Sequence, residues 1–165
     1  EFKSREKAAS LPSFTEFGQK AFSILQGNPV GKIIFDMRNN GGGNSAQGTA
    51  FIERLAGFLK QHPGIKTYVV IGRSTFSSAI LNTMDFKHLT DAVVVGEQTA
   101  GKPNHFGEVR SFQLPGSKLT VAYSTKYFRR TDEEADTITP DVRIEMSFAD
   151  FTKGIDPVYE WIKAQ

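Results

Sequence analysis

The 165 residues carry 20 lysines and arginines against 18 aspartates and glutamates, a formal net charge of +2, with 39% hydrophobic and 23% charged side chains. That length and apolar fraction suffice for one compact domain with a sizeable core, and so even a charge balance argues against nucleic acid or an anionic membrane surface as partner. The lack of cysteine excludes thiol catalysis, disulfides and thiolate metal sites, and leaves the redox compartment open.

No apolar run reaches the roughly 18 residues of a membrane span. The opening Glu1-Phe2-Lys3-Ser4-Arg5-Glu6-Lys7 has no apolar stretch of the signal-peptide kind. A start on charged residues without methionine is expected of a fragment whose targeting signals lie upstream.

In chain order, Phe14, Phe17, Ala21, Phe22 and Leu25 recur at helical spacing and stop at Gly27-Asn28-Pro29, predicting a helix and its terminator. Ile33-Ile34-Phe35 predicts a buried strand. Beyond the glycine-rich stretch Asn39 to Asn44, the residues Phe51, Ile52, Leu55, Phe58 and Leu59 mark a second helix ending at His62-Pro63-Gly64. Thr67 to Ile71 reads as a strand, Ser77 to Leu89 as a helix, and Ala92-Val93-Val94-Val95 as another buried strand.

Alternation of this kind predicts an α/β core of parallel strands joined by crossover helices, with active groups on loops after the strand C-terminal ends. Glu108 to Gln113 and Lys118 to Tyr123 flank the turn Leu114-Pro115-Gly116-Ser117, so an antiparallel portion is expected in the C-terminal third. Thr131 to Thr139 reads as a flexible polar loop. Val142-Arg143-Ile144 is strand-like, and a last helix from Pro157 to Lys163 carries Trp161, assigned to packing.

Three loops hold residues suited to chemistry. In Asp36-Met37-Arg38-Asn39-Asn40-Gly41-Gly42-Gly43-Asn44, successive glycines can aim backbone N–H groups at one point, as an oxyanion or a phosphate requires. The stretch lacks the Gly-Lys-Ser/Thr ending of a nucleotide loop, which favours the oxyanion, and Asp36 and Arg38 read as scaffold.

In Gly72-Arg73-Ser74-Thr75-Phe76-Ser77-Ser78-Ala79 a strand hands over to a helix, where a serine can expose its hydroxyl and the next N–H can join an oxyanion hole. Helix capping is the commoner use of such residues, and Ser74, Thr75, Ser77 and Ser78 are not separated on this ground. In Gly96-Glu97-Gln98-Thr99-Ala100-Gly101-Lys102-Pro103-Asn104-His105-Phe106-Gly107, Lys102 can act as general base only if neutral, which burial or a nearby cation would favour. A solvated loop lysine is the ordinary alternative.

Asp36-Met37-Arg38-Asn39-Asn40-Gly41-Gly42-Gly43 resembles the Asp-Leu-Arg-x-Asn-x-Gly-Gly motif of the carboxy-terminal processing, or tail-specific, serine peptidases, a family with tricorn-like and interphotoreceptor retinoid-binding protein-like members. Arg73-Ser74-Thr75-Phe76-Ser77-Ser78-Ala79 resembles that family's nucleophile segment. Val95-Gly96-Glu97-Gln98-Thr99-Ala100-Gly101-Lys102 resembles its Val-Gly-Glu-x-Thr-x-Gly-Lys, and Ser77 and Lys102 stand 102 − 77 = 25 residues apart, as that motif pair implies.

The resemblance implies a ClpP/crotonase-like α/β spiral and a Ser-Lys dyad, with Ser77 as nucleophile and Lys102 as base. The N–H groups of Gly42 and Ser78 are the candidate oxyanion donors. It implies an extended peptide or protein as substrate, no cofactor and no metal, and a bacterial envelope or extracellular location. Two positions depart from the pattern: Ile80 stands where many members carry Glu, and Phe106 where a glutamine often assists the dyad, a bond for which His105 and Asn104 are substitutes. Nothing resembles the PDZ-like module of many members.

Three other readings remain open. His105 is an alternative base, while His62 and His88 at helix ends suit dipole partners. The 14 phenylalanines allow an inert module that binds a peptide or hydrophobic ligand, although core packing accounts for most of them. Crotonase-type acyl-CoA chemistry would use the paired N–H groups and leave Ser77 and Lys102 without a joint role.

Overall fold

A computed structural model describes residues 11–165, so the charged start Glu1–Lys7 lies outside the described residues. The chain divides after Gly31 into two compact units. In the first, helix α1 (Phe14–Gly27) begins with a reciprocal cap. Ser13 Oγ accepts the Glu16 N–H at 3.2 Å while Glu16 Oε2 accepts the Ser13 N–H at 2.6 Å.

The second unit is built on a parallel sheet of β1 (Lys32–Asp36), β2 (Lys66–Ile71), β3 (Val93–Gly96) and β6 (Val142–Arg143), in the spatial order β1-β2-β3-β6. Helices α2 (Ser45–Gln61) and α3 (Ser78–Leu89) provide the crossovers that parallel neighbours require. Side chains alternate across β2, so Tyr68 and Val70 face one side of the sheet with Val95, Val158 and Ile162. Val158 and Ile162 belong to α5 (Pro157–Ala164), and Trp161 of the same helix meets Tyr68 edge-on at 6.2 Å, which agrees with its assignment to packing.

Phe35, from β1, packs against Phe51 of α2 and Phe86 of α3 with ring centroids 5.6 and 4.6 Å away. The two helices approach so closely that a methyl group at Gly48 would collide with the Asn82 side chain.

Strands β4 (His105–Gln113) and β5 (Thr120–Phe128) form a separate antiparallel ribbon, as expected, but a longer one. Pairing runs from His105–Phe128 to Gln113–Thr120, passing Glu108 at φ 52°, where the alternating pattern breaks. Lys118, expected within a strand, lies in the turn at φ 59°. A short helix, α4 (Phe148–Lys153), is additional to the predicted elements; none of its residues is buried, and its apolar pair Phe148 and Phe151 is exposed. The segment Thr131 to Thr139, read as a flexible loop, is tied at both ends: Thr131 to Asn104, and Thr137 with Ile138 to Thr99.

Candidate active site

Parallel register fixes the location of the site. Asp36 pairs with Val70 and Ile71 with Gly96, so the loops following β1, β2 and β3 leave the sheet at one edge. Hydrogen bonds then tie the first loop to β2 and to the second loop. Met37 N–H donates to Val70 O at 2.8 Å, Phe76 N–H to Asn40 O at 3.0 Å, and Thr75 Oγ1 to Met37 O at 2.8 Å.

Hydrogen bonding sets Thr75 and Ser78 apart from Ser74 and Ser77, whose hydroxyls bond nothing among the described residues, and of those two only Ser77 has a positive φ, Ser74 being exposed. Thr75 is wholly buried and bonded, and Ser78 Oγ donates to Gly43 O at 2.6 Å. Ser77 is half-buried, its hydroxyl has no hydrogen-bond partner among the described residues, and it occupies the N-cap of α3 without making a side-chain cap. Its φ of 53° and ψ of −122° put a non-glycine residue in a region that costs about 1–3 kcal/mol. A serine displayed on such a strand-to-helix turn has the geometry of a nucleophile elbow.

The glycine loop is moulded to this turn. At φ 105°, Gly42 has space for no side chain: a Cβ there would lie 2.7 Å from Ser77 Cβ and 2.9 Å from Ser78 N. Of the two candidate oxyanion donors, Ser78 N–H, in the first position of α3, has no acceptor among the described residues. Gly42 N–H instead donates to Asn40 Oδ1 at 3.0 Å, so the expected pair of free donors is not assembled in this conformation. The Asn40 side chain carried no signal in the sequence beyond its place in the motif.

The third loop arrives at the same turn through Gly101, where a methyl group would sit 2.9 Å from Ile80 Cδ1 and 3.0 Å from Phe76 Cδ2. The residue at the motif's glutamate position, Ile80, is thus a buried floor beneath Lys102's neighbour. Arg73 and Glu97 also join the two loops, 3.2 Å apart.

Lys102 departs from the buried, neutral state that a base requires. Its side chain is 54% exposed and its Nζ lies 2.6 Å from Asp136 Oδ1. The bond to Asp136, helped by that carboxylate's charge, raises Lys102 above its ordinary pKa and lowers that of Asp136. The reason is local: Gly101 packs on the Ser77 turn, while the side chain following it turns toward the polar segment that carries Asp136.

Neither proposed substitute for the family's glutamine bonds to the Lys102 ammonium. Asn104 is buried with both ends of its amide committed, accepting from the N–H groups of Arg130 at 2.7 Å and Thr131 at 3.1 Å and donating to Thr131 O at 2.8 Å. His105 Nδ1 meets Lys102 O, the backbone carbonyl, at 2.9 Å. His62 and His88 bond carbonyls one turn back, at Phe58 and Met84, in keeping with helix-end roles.

Asp36 and Arg38, expected as scaffold, are joined in an ion-pair network. Arg38 Nη2 lies 2.6 Å from Asp36 Oδ2 and 2.7 Å from Asp156 Oδ2, and Asp156 in turn caps α5. Burial opposes ionisation of Asp36 and Asp156, but their bonds to Arg38 outweigh it and hold both carboxyls below the ordinary aspartate value.

No family model and no curated protein matches the sequence. Solved structures do match. A candidate peptidase from Parabacteroides merdae ATCC 43184 superposes on 94% of this chain and 57% of its own, with TM-score 0.66 and 18% identity. A candidate S41 protease from Bacteroides fragilis NCTC 9343 covers 90% of this chain and 47% of its own (TM-score 0.61, 14% identity). The photosystem II D1 C-terminal processing protease covers 80% and 39% (TM-score 0.55, 20% identity). The chain therefore spans about half the length of these proteins, and it has the ClpP-like α/β fold of S41 and C-terminal processing peptidases.

Proposed function

We propose that the chain is the catalytic core of a serine peptidase acting through Ser77 and Lys102. The observation that carries this reading is the Ser77 turn: a strained, unbonded serine hydroxyl on a helix N-terminus, beside an unused Ser78 N–H. Neutral Lys102 takes the Oγ proton as Ser77 Oγ bonds to the carbonyl carbon of an extended peptide. The oxyanion is met by Ser78 N–H, and by Gly42 N–H once Asn40 releases it. The C–N bond then breaks, the amine leaves with the lysine's proton, and water hydrolyses the acyl-enzyme. Location in the bacterial envelope or outside the cell belongs to the same reading.

The Lys102–Asp136 pair gives the reaction a direction in pH. Since Asp136 raises Lys102 and only the neutral amine is a base, hydrolysis should increase with pH through a midpoint above the ordinary lysine value of 10.5. Asp136→Asn removes the main cause of the shift, so the midpoint should fall and hydrolysis near neutral pH should increase. Initial rates on an unstructured peptide, followed as new amino termini from pH 6 to 11, measure both. A midpoint unmoved by Asp136→Asn would separate Asp136 from the base.

The ammonium's bond to Asp136 rather than to Ser77 is also compatible with a second reading, an inert peptide- or hydrophobic-ligand-binding module. In that case the same peptide binds by calorimetric titration and no amino termini appear at any pH.

A further inference from the structure

Asp85 is the only buried charged side chain among the described residues, and the chemistry above makes no use of it. It lies on α3, the helix that Ser77 initiates, two turns into its body. Its carboxylate accepts from Thr49 Oγ1 at 2.6 Å and Asn82 Nδ2 at 3.1 Å, both facing it within the α2–α3 seam. Its other oxygen accepts from Arg130 Nη1 at 3.1 Å, and Arg130 is one-third exposed.

Arg130 reaches across from the strand end after β5, and its own N–H is one of the bonds that Asn104 accepts. Asn104 stands two residues after Lys102. Thr99, three residues before Lys102, is held at the other end: its N–H donates to Ile138 O at 3.2 Å and its hydroxyl accepts from Ile138 N–H at 2.9 Å. The Lys102 segment is therefore pinned at both ends, and one of the pins leads through Arg130 to the helix that carries the nucleophile.

We propose that Asp85 is a positioning residue: through Arg130 it fixes the Asn104 clamp, and so sets the Lys102 loop against the Ser77 helix. The catalytic part of this proposal rests on the peptidase reading. A buried carboxylate is expensive to desolvate, and apolar residues would hold two elements together as well or better. What an ion pair with two defined oxygens adds is direction. Thr49 and Asn82 hold the carboxylate in one orientation, and the guanidinium must then approach from one side. Because acylation is sensitive to displacements near 1 Å, such a tether acts on reactivity without touching the substrate.

The test uses the whole chain carrying Asp85→Asn, Arg130→Gln, or both. Arg130→Gln alters a partly exposed side chain and supplies a folded variant should Asp85→Asn fail to fold. Hydrogen exchange of the segment 99–105 should accelerate about tenfold or more in each single variant, with α2 amides unchanged. Fluorophosphonate labelling of Ser77, measured against pH at a temperature where circular dichroism shows native folding, should slow about tenfold with a displaced midpoint.

The double variant should be no worse than either single one, as members of one tether behave. A purely structural role would lower the melting temperature and leave the pH profile and the 99–105 exchange of the folded protein at parental values, and that result overturns the proposal. If the parent chain takes no label, the peptidase reading fails and the catalytic part falls with it, while the exchange measurement still decides the tether.

Discussion

Ser77→Gly is expected to eliminate acylation and at the same time to stabilise the protein. Loss of the attacking hydroxyl should lower turnover by about 10⁶, the scale observed when a catalytic serine is removed. Stability should move the opposite way. At φ 53° and ψ −122° the serine carries about 1–3 kcal/mol of backbone strain that glycine does not. The greater freedom of glycine in the unfolded chain takes back about 0.5–1 kcal/mol, leaving a net gain near 1 kcal/mol and a rise in melting temperature of about 2–4 °C.

Ser77→Ala separates strain from capping. A serine that caps its helix loses about 0.5–2 kcal/mol on truncation to alanine. Ser77 Oγ bonds nothing among the described residues, so Ser77→Ala should melt close to the parent. A clear loss of stability in Ser77→Ala, with none gained in Ser77→Gly, would return this residue to ordinary capping.

Gly42→Ala should also damage the site and, unlike Ser77→Gly, should destabilise the fold. The added methyl meets Ser77 Cβ at 2.7 Å, Ser78 N at 2.9 Å and Phe76 O at 3.0 Å, and two of those are backbone atoms that no rotamer change can move. Overpacking at about 1–3 kcal/mol adds to a positive-φ term of similar size, since Gly42 sits at φ 105°. We expect a loss of about 2–6 kcal/mol and, in whatever folds, at least a 10²-fold fall in Ser77 reactivity from displacement of the turn.

Gly43→Ala is the control for the clash. Its Cβ would have nothing within 4 Å, so only the conformational cost at φ 148° remains. Thermal melts and labelling rates of both variants check the argument. Equal effects at Gly42 and Gly43 would show that contact with the Ser77 turn is not what excludes a side chain.

The parallel core was legible because β2 and β3 are buried on both faces and the helices carry apolar residues at helical spacing, as in Phe51, Ile52 and Leu55, whereas β1, expected as a buried strand, has no buried residue and leaves Ile34 exposed. The ribbon's true ends were not, because no burial disciplines its side chains. Phe106, Val109 and Phe112 are 69%, 66% and 52% exposed. Helix α4 escaped for the same reason, although the Ser147–Asp150 capping box and Gly154 at φ 66° mark its ends.

At the site, motif spacing singled out Ser77, and its backbone strain and unbonded hydroxyl now set it apart on physical grounds. Lys102 was legible as a residue and not as an environment: nothing in the run Thr131-Asp132-Glu133-Glu134-Ala135-Asp136 marks which carboxylate meets the ammonium. Asp85 was hidden by its helix, since α3 is buried through most of its circumference and shows no polar face on which a charge would stand out.

The most direct test of the central claim is a fluorophosphonate reaction on the parent, Ser77→Ala, Lys102→Met and His105→Ala chains, with the adduct located by peptide mass mapping. The expected result is one adduct on Ser77, none on Ser77→Ala, labelling slowed about 10²–10⁴-fold in Lys102→Met, and near-parental labelling in His105→Ala. Equal labelling of the parent and Ser77→Ala would contradict the nucleophile, and labelling that survives loss of Lys102 but not of His105 would contradict the base.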